Sequence, residues 1–237
     1  MSTAFNTNST PTEIAKFNQL ANTWWNPRGA MRLLHQLNPV RLSYVSSKTN
    51  IKDQKILDIG CGAGIFAESL ARLGGVVTGL DLAPDLILAA QHHAKNQDLA
   101  LHYVCQSLES FATEHPQTFD SIVCMEMLEH VEDPAATIAQ MTHLLKPGGH
   151  LFLSTLNKTP RSFLEAIIGA EYVLGWLPKG THDWRQFITP YALTQMLKNA
   201  QLTLRSLQGI GYNPLLSAFY LQPNVSVNYL VHAQRPL

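Results

Sequence analysis

Leu57-Asp58-Ile59-Gly60-Cys61-Gly62-Ala63-Gly64 joins an apolar run to three closely spaced glycines, and this junction identifies the architecture. Residues 55–59 form a short apolar, β-branched run, and residues 65–73 recur at helical spacing until Gly74 closes them. The glycines therefore sit in a strand-to-helix turn. Without a Cβ the backbone can take positive φ there and let a ligand approach the peptide plane, and the helix start offers N–H groups with no intrahelical partner. A second strand, Val76-Val77-Thr78-Gly79-Leu80, ends at Asp81, about 20 residues past the first glycine. A carboxylate at that point can accept hydrogen bonds from both hydroxyls of a ribose, which lays an adenosine across two strand ends.

The glycine spacing narrows the ligand. A dinucleotide fingerprint, G-x-G-x-x-G, leaves room for a pyrophosphate on the helix start. Here Gly64 follows Gly60 by four positions, one fewer. Asp58 puts a negative charge beside the loop, which suits an ammonium and a sulfonium and repels a pyrophosphate. The reading is an S-adenosylmethionine site built from Asp58, Gly60, Gly62 and Asp81, set against a bland glycine turn of an ordinary α/β domain.

Outward from the loop the chain alternates strand and helix. Residues 84–96 read as a helix, 101–106 and 119–125 as strands, and Asp133-Pro134 as the cap of a helix running to residue 145. Residues 150–156 make the fifth parallel strand. Residues 202–208 and 225–233 are further strands without a convincing helix between them, which implies an antiparallel ending. The expected fold is α/β: a doubly wound, Rossmann-like, seven-stranded sheet with its last strand antiparallel. Residues 1–11 read as a disordered polar tail and 12–48 as a helical cap, begun by Thr10-Pro11-Thr12-Glu13 and interrupted near Asn38-Pro39. Arg41 lies in this cap within reach of a cofactor carboxylate. Residues 49–237 form the main domain, with an insertion at 158–190. Within it, residues 161–177 read as a lid after the fifth strand, a lipid-interface helix flanked by Arg161 and Lys179, or a buried helix.

The bulk numbers exclude other classes. The 237 residues are 46% hydrophobic and 14% charged, enough for one substantial core. Seventeen basic and seventeen acidic side chains balance, so no cationic face for nucleic acid is expected. Cys61, Cys105 and Cys124 are odd in number and lack metal-ligand spacing, which fits a reducing cytoplasm. No signal peptide and no membrane-spanning run are apparent.

Asn38-Pro39-Val40-Arg41, the glycine loop, residues 124–131 (Cys-Met-Glu-Met-Leu-Glu-His-Val) and residues 178–183 (Pro-Lys-Gly-Thr-His-Asp) resemble the ubiquinone-biosynthesis O-methyltransferases. Tyr212-Asn213-Pro214 and Val227-Asn228-Tyr229 extend the likeness to the C-terminus. The resemblance implies methyl transfer from S-adenosylmethionine to a 2-polyprenyl-6-hydroxyphenol and to a 3-demethylubiquinol. It implies Arg41, Gly60, Asp81 and Met125 as cofactor contacts. It also implies an anionic surface at the inner face of the inner membrane, met through residues 161–177. Other ubiquinone-biosynthesis proteins are candidate partners.

The reaction needs a phenolate formed near neutral pH, by a general base or by a divalent cation on both ring oxygens. Glu126, Glu129 and His130 stand at i, i+3 and i+4, and on a helical turn they would gather at one site, with Mg2+ preferred over Zn2+ as no thiolate joins them. Glu129 could instead satisfy backbone donors near the Asp133 cap. His130 is the first candidate base and His182, beside Asp183, the second. The remaining histidines read as surface or packing residues. The alternatives are a methyltransferase for another small phenol or carboxylate, and a non-catalytic scaffold that binds the same cofactor.

Overall fold

β1 (Lys55–Ile59), β2 (Val76–Asp81), β3 (His102–Cys105), β4 (Phe119–Met125) and β5 (Leu145–Leu156) are parallel neighbours in the order β3-β2-β1-β4-β5. The computed structural model describes residues 11–163 and 183–237. β1 and β4 read as near-continuous apolar runs because both faces of the sheet are covered. Leu57, Ile59, Ile122 and Cys124 bury into one layer of helices, and Ile56, Val123 and Met125 into the other. Strand order reverses between β1 and β4, so the crevice at their carboxyl ends is where a ligand belongs.

The other half of the sheet is antiparallel: β6 (Thr203–Asn213), β7 (Ala218–Gln222) and β8 (Asn228–Gln234). β8 lies between β5 and β6, and β7 is the edge. The sheet thus has eight strands where the sequence predicts seven. β7 pairs only with β6 and leaves most of its side chains in or near solvent, so no buried face imposes a pattern that a sequence could show.

The helices α3 (Ile65–Arg72), α4 (Pro84–Asn96), α5 (Leu108–Glu114) and α6 (Pro134–Leu144) follow the first four strands. Asp133 caps α6 by accepting from the Ala136 N–H. Beyond the short turn α7 (Pro160–Ser162), α8 (Pro190–Asn199) opens on a Thr189 cap and buries Leu193 and Leu197, a helix in addition to those expected from the sequence. Residues 164–182, with most of the expected lid, lie outside the described residues. Among the described residues no helix is long and apolar enough to cross a membrane.

Ahead of the sheet, α1 (Pro11–Asn18) and α2 (Arg32–Ser46) form the cap. Ile14, Phe17, Leu20 and Ala21 pack with buried Trp24 against Ala63 and Leu86, although α1 stops at Asn18 and a 3-10 turn, Ala21–Thr23, carries the chain on, so their helical spacing does not mark one continuous helix. Pro39 does not end α2, contrary to expectation. Leu33, Leu37, Arg41, Tyr44 and Val45 are buried along one side of that helix, and tertiary packing overrides the proline.

Candidate functional site

The glycine turn has the geometry that the sequence predicts. Gly60, Gly62 and Gly64 all take positive φ, at 70°, 55° and 91°. Gly62 has a second reason to lack a side chain, since a Cβ there would collide with the Trp24 ring. Asp81 at the end of β2 ties the turn down. Its Oδ2 accepts from the Gly62 N–H and its Oδ1 from the Ala83 N–H, each at 2.9 Å. Each carboxylate oxygen has a second lone pair, so these bonds orient the group without exhausting it as an acceptor for ribose hydroxyls. Burial pushes its pKa upward, and the N–H groups of Ala83, Gly62 and Leu82 oppose the shift.

A cavity of about 1140 Å³ opens at these strand ends. Its volume exceeds that of a pocket for one drug-sized ligand, roughly 300–1,000 Å³. One wing is lined by Gly60, Gly62, Asp81, Met125 and residues 106–108 after β3. The other runs past Leu156 and Asn228 to Tyr212, Phe219 and Tyr220 on the β6–β7 hairpin. Glu13, Phe17 and Trp24 of the cap line it as well. Gln106 is the first residue past β3, one place beyond Cys105, the register partner of Asp81 at the end of β2. A polar residue just past a strand end was visible in the sequence, but the contributions of the cap and the hairpin depend on the tertiary fold.

Asp58 and Arg41 stand behind the cavity wall rather than among its lining residues. Both are buried, at 2% and 4% exposure, and both are under-satisfied. Asp58 Oδ2 and Arg41 Nε find no hydrogen-bond partner among the described residues, while Arg41 Nη2 lies 3.0 Å from Glu126 Oε1. Burial, with the Asp81 charge adding to it, pushes the Asp58 carboxyl up to about 8, although Arg41 pulls it down. An orphaned acceptor and an orphaned cationic donor beside a glycine cradle fit the two ends of a zwitterionic amino acid.

The structure does not bring Glu126, Glu129 and His130 together as a ligand set. Glu126 precedes the helical turn that begins at Leu128 and takes a left-handed φ of 53°, so the i, i+3, i+4 argument does not apply to it. Its Oε1 accepts from Ser154 Oγ at 2.8 Å and Asn228 Nδ2 at 3.0 Å, and lies 3.0 Å from Arg41 Nη2. Glu129 turns inward, where its Oε2 accepts from the Thr155 hydroxyl at 2.8 Å, not from the Asp133 cap. Burial raises its pKa, and the Glu126 charge adds to the shift. His130 points the other way, with Nδ1 3.2 Å from Glu13 Oε2 and its ring edge-on to Phe17. Among the described residues no group of three His, Cys, Asp or Glu is placed to hold a metal ion. As arranged, these residues do not fit Mg2+.

Of the other expected site residues, Met125 ends β4 at the cavity, and His130 lines it. His182 lies outside the described residues. Cys61, Cys105 and Cys124 are free thiols.

A methyltransferase-domain family model matches residues 25–207. A ubiquinone biosynthesis O-methyltransferase of Coxiella burnetii is 49% identical over 92% of this chain and 93% of its own length. Proteins of the same name from Xanthomonas euvesicatoria and Saccharophagus degradans are 48% and 45% identical, each over 94% of this chain and 94% and 95% of their own. Among solved structures, a magnesium protoporphyrin IX methyltransferase from Synechocystis with bound S-adenosylhomocysteine superposes with a TM-score of 0.67 at 17% identity, covering 93% of this chain and 94% of that one. A possible histamine N-methyltransferase from Thermotoga maritima gives 0.67 at 16%, covering 94% and 99%. At such identities these two show the fold alone.

Proposed function

This chain belongs to the ubiquinone biosynthesis O-methyltransferases, and on that footing we propose that it methylates catechol-like polyprenylated rings, a 2-polyprenyl-6-hydroxyphenol and a 3-demethylubiquinol. The activity is S-adenosylmethionine-dependent O-methylation. The observation that carries the substrate reading is the single two-winged cavity. It is too large for the donor alone, and its second wing is walled by aromatic and apolar side chains suited to a ring with a hydrocarbon tail.

The residues divide the work as follows. Asp81 takes the ribose hydroxyls. Gly60 and Gly62 let the donor's amino-acid portion approach the backbone, with Arg41 assigned to its carboxylate and Asp58 to its ammonium, and Met125 packs beside the adenosine. When bound, the cofactor supplies a methyl group already activated by its sulfonium. The protein has to align a phenol oxygen with it and remove one proton. We assign that proton to His130. His130 Nδ1 lies 3.2 Å from Glu13 Oε2, and a carboxylate at that distance favours the tautomer with its proton on Nδ1 and its lone pair on Nε2. His182 is the second candidate base. Glu129 does not line the cavity, and its role is to hold the turn that carries His130. No step runs through a metal.

The same reading includes peripheral association with the cytoplasmic face of the inner membrane. It is supported by the β6–β7 hairpin, where Leu215 and Leu216 at the tip are 93% and 74% exposed beside cavity-lining Pro214 and Ser217. The test is mass spectrometry of the reaction with a short-tailed demethylubiquinol. A product heavier by one methylene, a methyl having replaced the phenol proton, is expected, and a methylated soluble carboxylate with no product from the quinol would overturn the substrate assignment.

A further inference from the structure

Outside the cavity, four side chains from four segments form a connected chain that ends on the glycine turn. Glu68 on α3 is 2% exposed, and its Oε1 lies 2.7 Å from His93 Nδ1. The His93 ring, carried by α4, lies flat on Trp25, with centroids 3.4 Å apart and planes 5° from parallel. Trp25 Nε1 donates at 2.9 Å to the Ala63 carbonyl, between the left-handed Gly62 and Gly64. His35 on α2 meets Trp25 edge-on, and its Nε2 lies 2.9 Å from the Trp24 carbonyl.

We propose that Trp25 is a positioning residue for the donor wing: clamped by His93 and Glu68, it fixes the Ala63 peptide and seats Trp24 against Gly62. Trp25, His93, Glu68 and Ala63 are all absent from the cavity lining, whereas Trp24 and Gly62 belong to it. The clamp therefore acts through its neighbours and touches no ligand. Simple packing is a poor account of Trp25. Its ring is only partly buried, and its one directed bond reaches the peptide where three glycines leave the backbone least constrained. A turn held in its binding conformation before the donor arrives loses less entropy on binding.

The inference rests on the glycine turn being the donor site. Trp25→Phe keeps an aromatic ring beside His93 and deletes the N–H donor together with part of the indole. A net hydrogen bond of this kind corresponds to about a threefold to tenfold rise in the dissociation constant for S-adenosylmethionine, read by calorimetry on the full chain. The donor KM should rise with it, while the acceptor KM and kcat at saturating donor stay put. His93→Ala should weaken donor binding by a similar factor, and the double variant by less than the product of the two, since both changes break one clamp. A lowered thermal midpoint with unchanged donor affinity, or equal changes in donor and acceptor KM, would overturn the proposal. Absence of donor binding by the unsubstituted chain would overturn the donor-site reading first, and this inference with it.

Discussion

Arg41 Nη2 lies 3.0 Å from Glu126 Oε1, joining the middle of α2 to the end of β4 with both side chains nearly closed to water. The same carboxylate oxygen also receives Ser154 and Asn228, so one atom of Glu126 knits the cap, β5 and β8 around the cavity floor. Glu126→Ala would strand a buried guanidinium and should cost about 3–5 kcal/mol in urea denaturation. Glu126→Gln keeps an acceptor for the two neutral donors and should cost distinctly less. Equal losses for both would mean that charge plays no part.

Asp81→Ala removes the acceptor that orders the Gly62 and Ala83 N–H groups as well as the proposed ribose contact. Hydrogen bonds to a charged group contribute about 1.5–3 kcal/mol each, so donor affinity should fall at least about tenfold. Calorimetry showing an undiminished affinity would remove Asp81 from the donor site.

Asp58 makes stability depend on pH in a defined sense. In the unfolded chain it ionises near pH 4, whereas in the ligand-free fold it keeps its proton up to about 8. Between those values the folded state holds the extra proton. This residue's contribution to stability is therefore most favourable at the acid end and declines as pH rises toward 8, with a limiting slope of about 1.4 kcal/mol per pH unit. Asp58→Asn should flatten that decline in denaturation midpoints taken from pH 5 to 8, and an unchanged slope would show that Asp58 is already ionised.

With Glu126 committed to Arg41 and Glu129 to Thr155, activity should change less than about twofold after treatment with EDTA. A loss restored by Mg2+ would show that Glu126 leaves Arg41 when substrates bind.

Membrane contact through the hairpin predicts that Leu215→Ser with Leu216→Ser reduces flotation with anionic liposomes and leaves turnover of a tail-less catechol unchanged. Undiminished flotation would place the contact elsewhere.

The parallel half of the fold was legible because β1 and β4 are buried on both faces, and burial writes itself into a sequence as Ile, Leu and Val. The glycine turn and Asp81 were legible for a related reason, since positive φ and a strand-end carboxylate each need particular residue types. The arrangement of Glu126, Glu129 and His130 was not. Their spacing is helical, but the left-handed backbone at Glu126 removes it from the helix, and nothing in Met-Glu-Met-Leu-Glu-His announces that reversal. The clamp on Trp25 was equally hidden, because it joins residues whose meeting depends on how α3 and α4 pack beneath the cap.

The residues of the two wings line one cavity, the adenosine end and the aromatic end alike. A single molecule that tethers an adenosyl group to a catechol by a linker the length of a transferred methyl would span both. Such a bisubstrate compound would gather both binding energies while losing translational freedom only once, which makes this enzyme a tractable target for inhibitors that neither half alone could match.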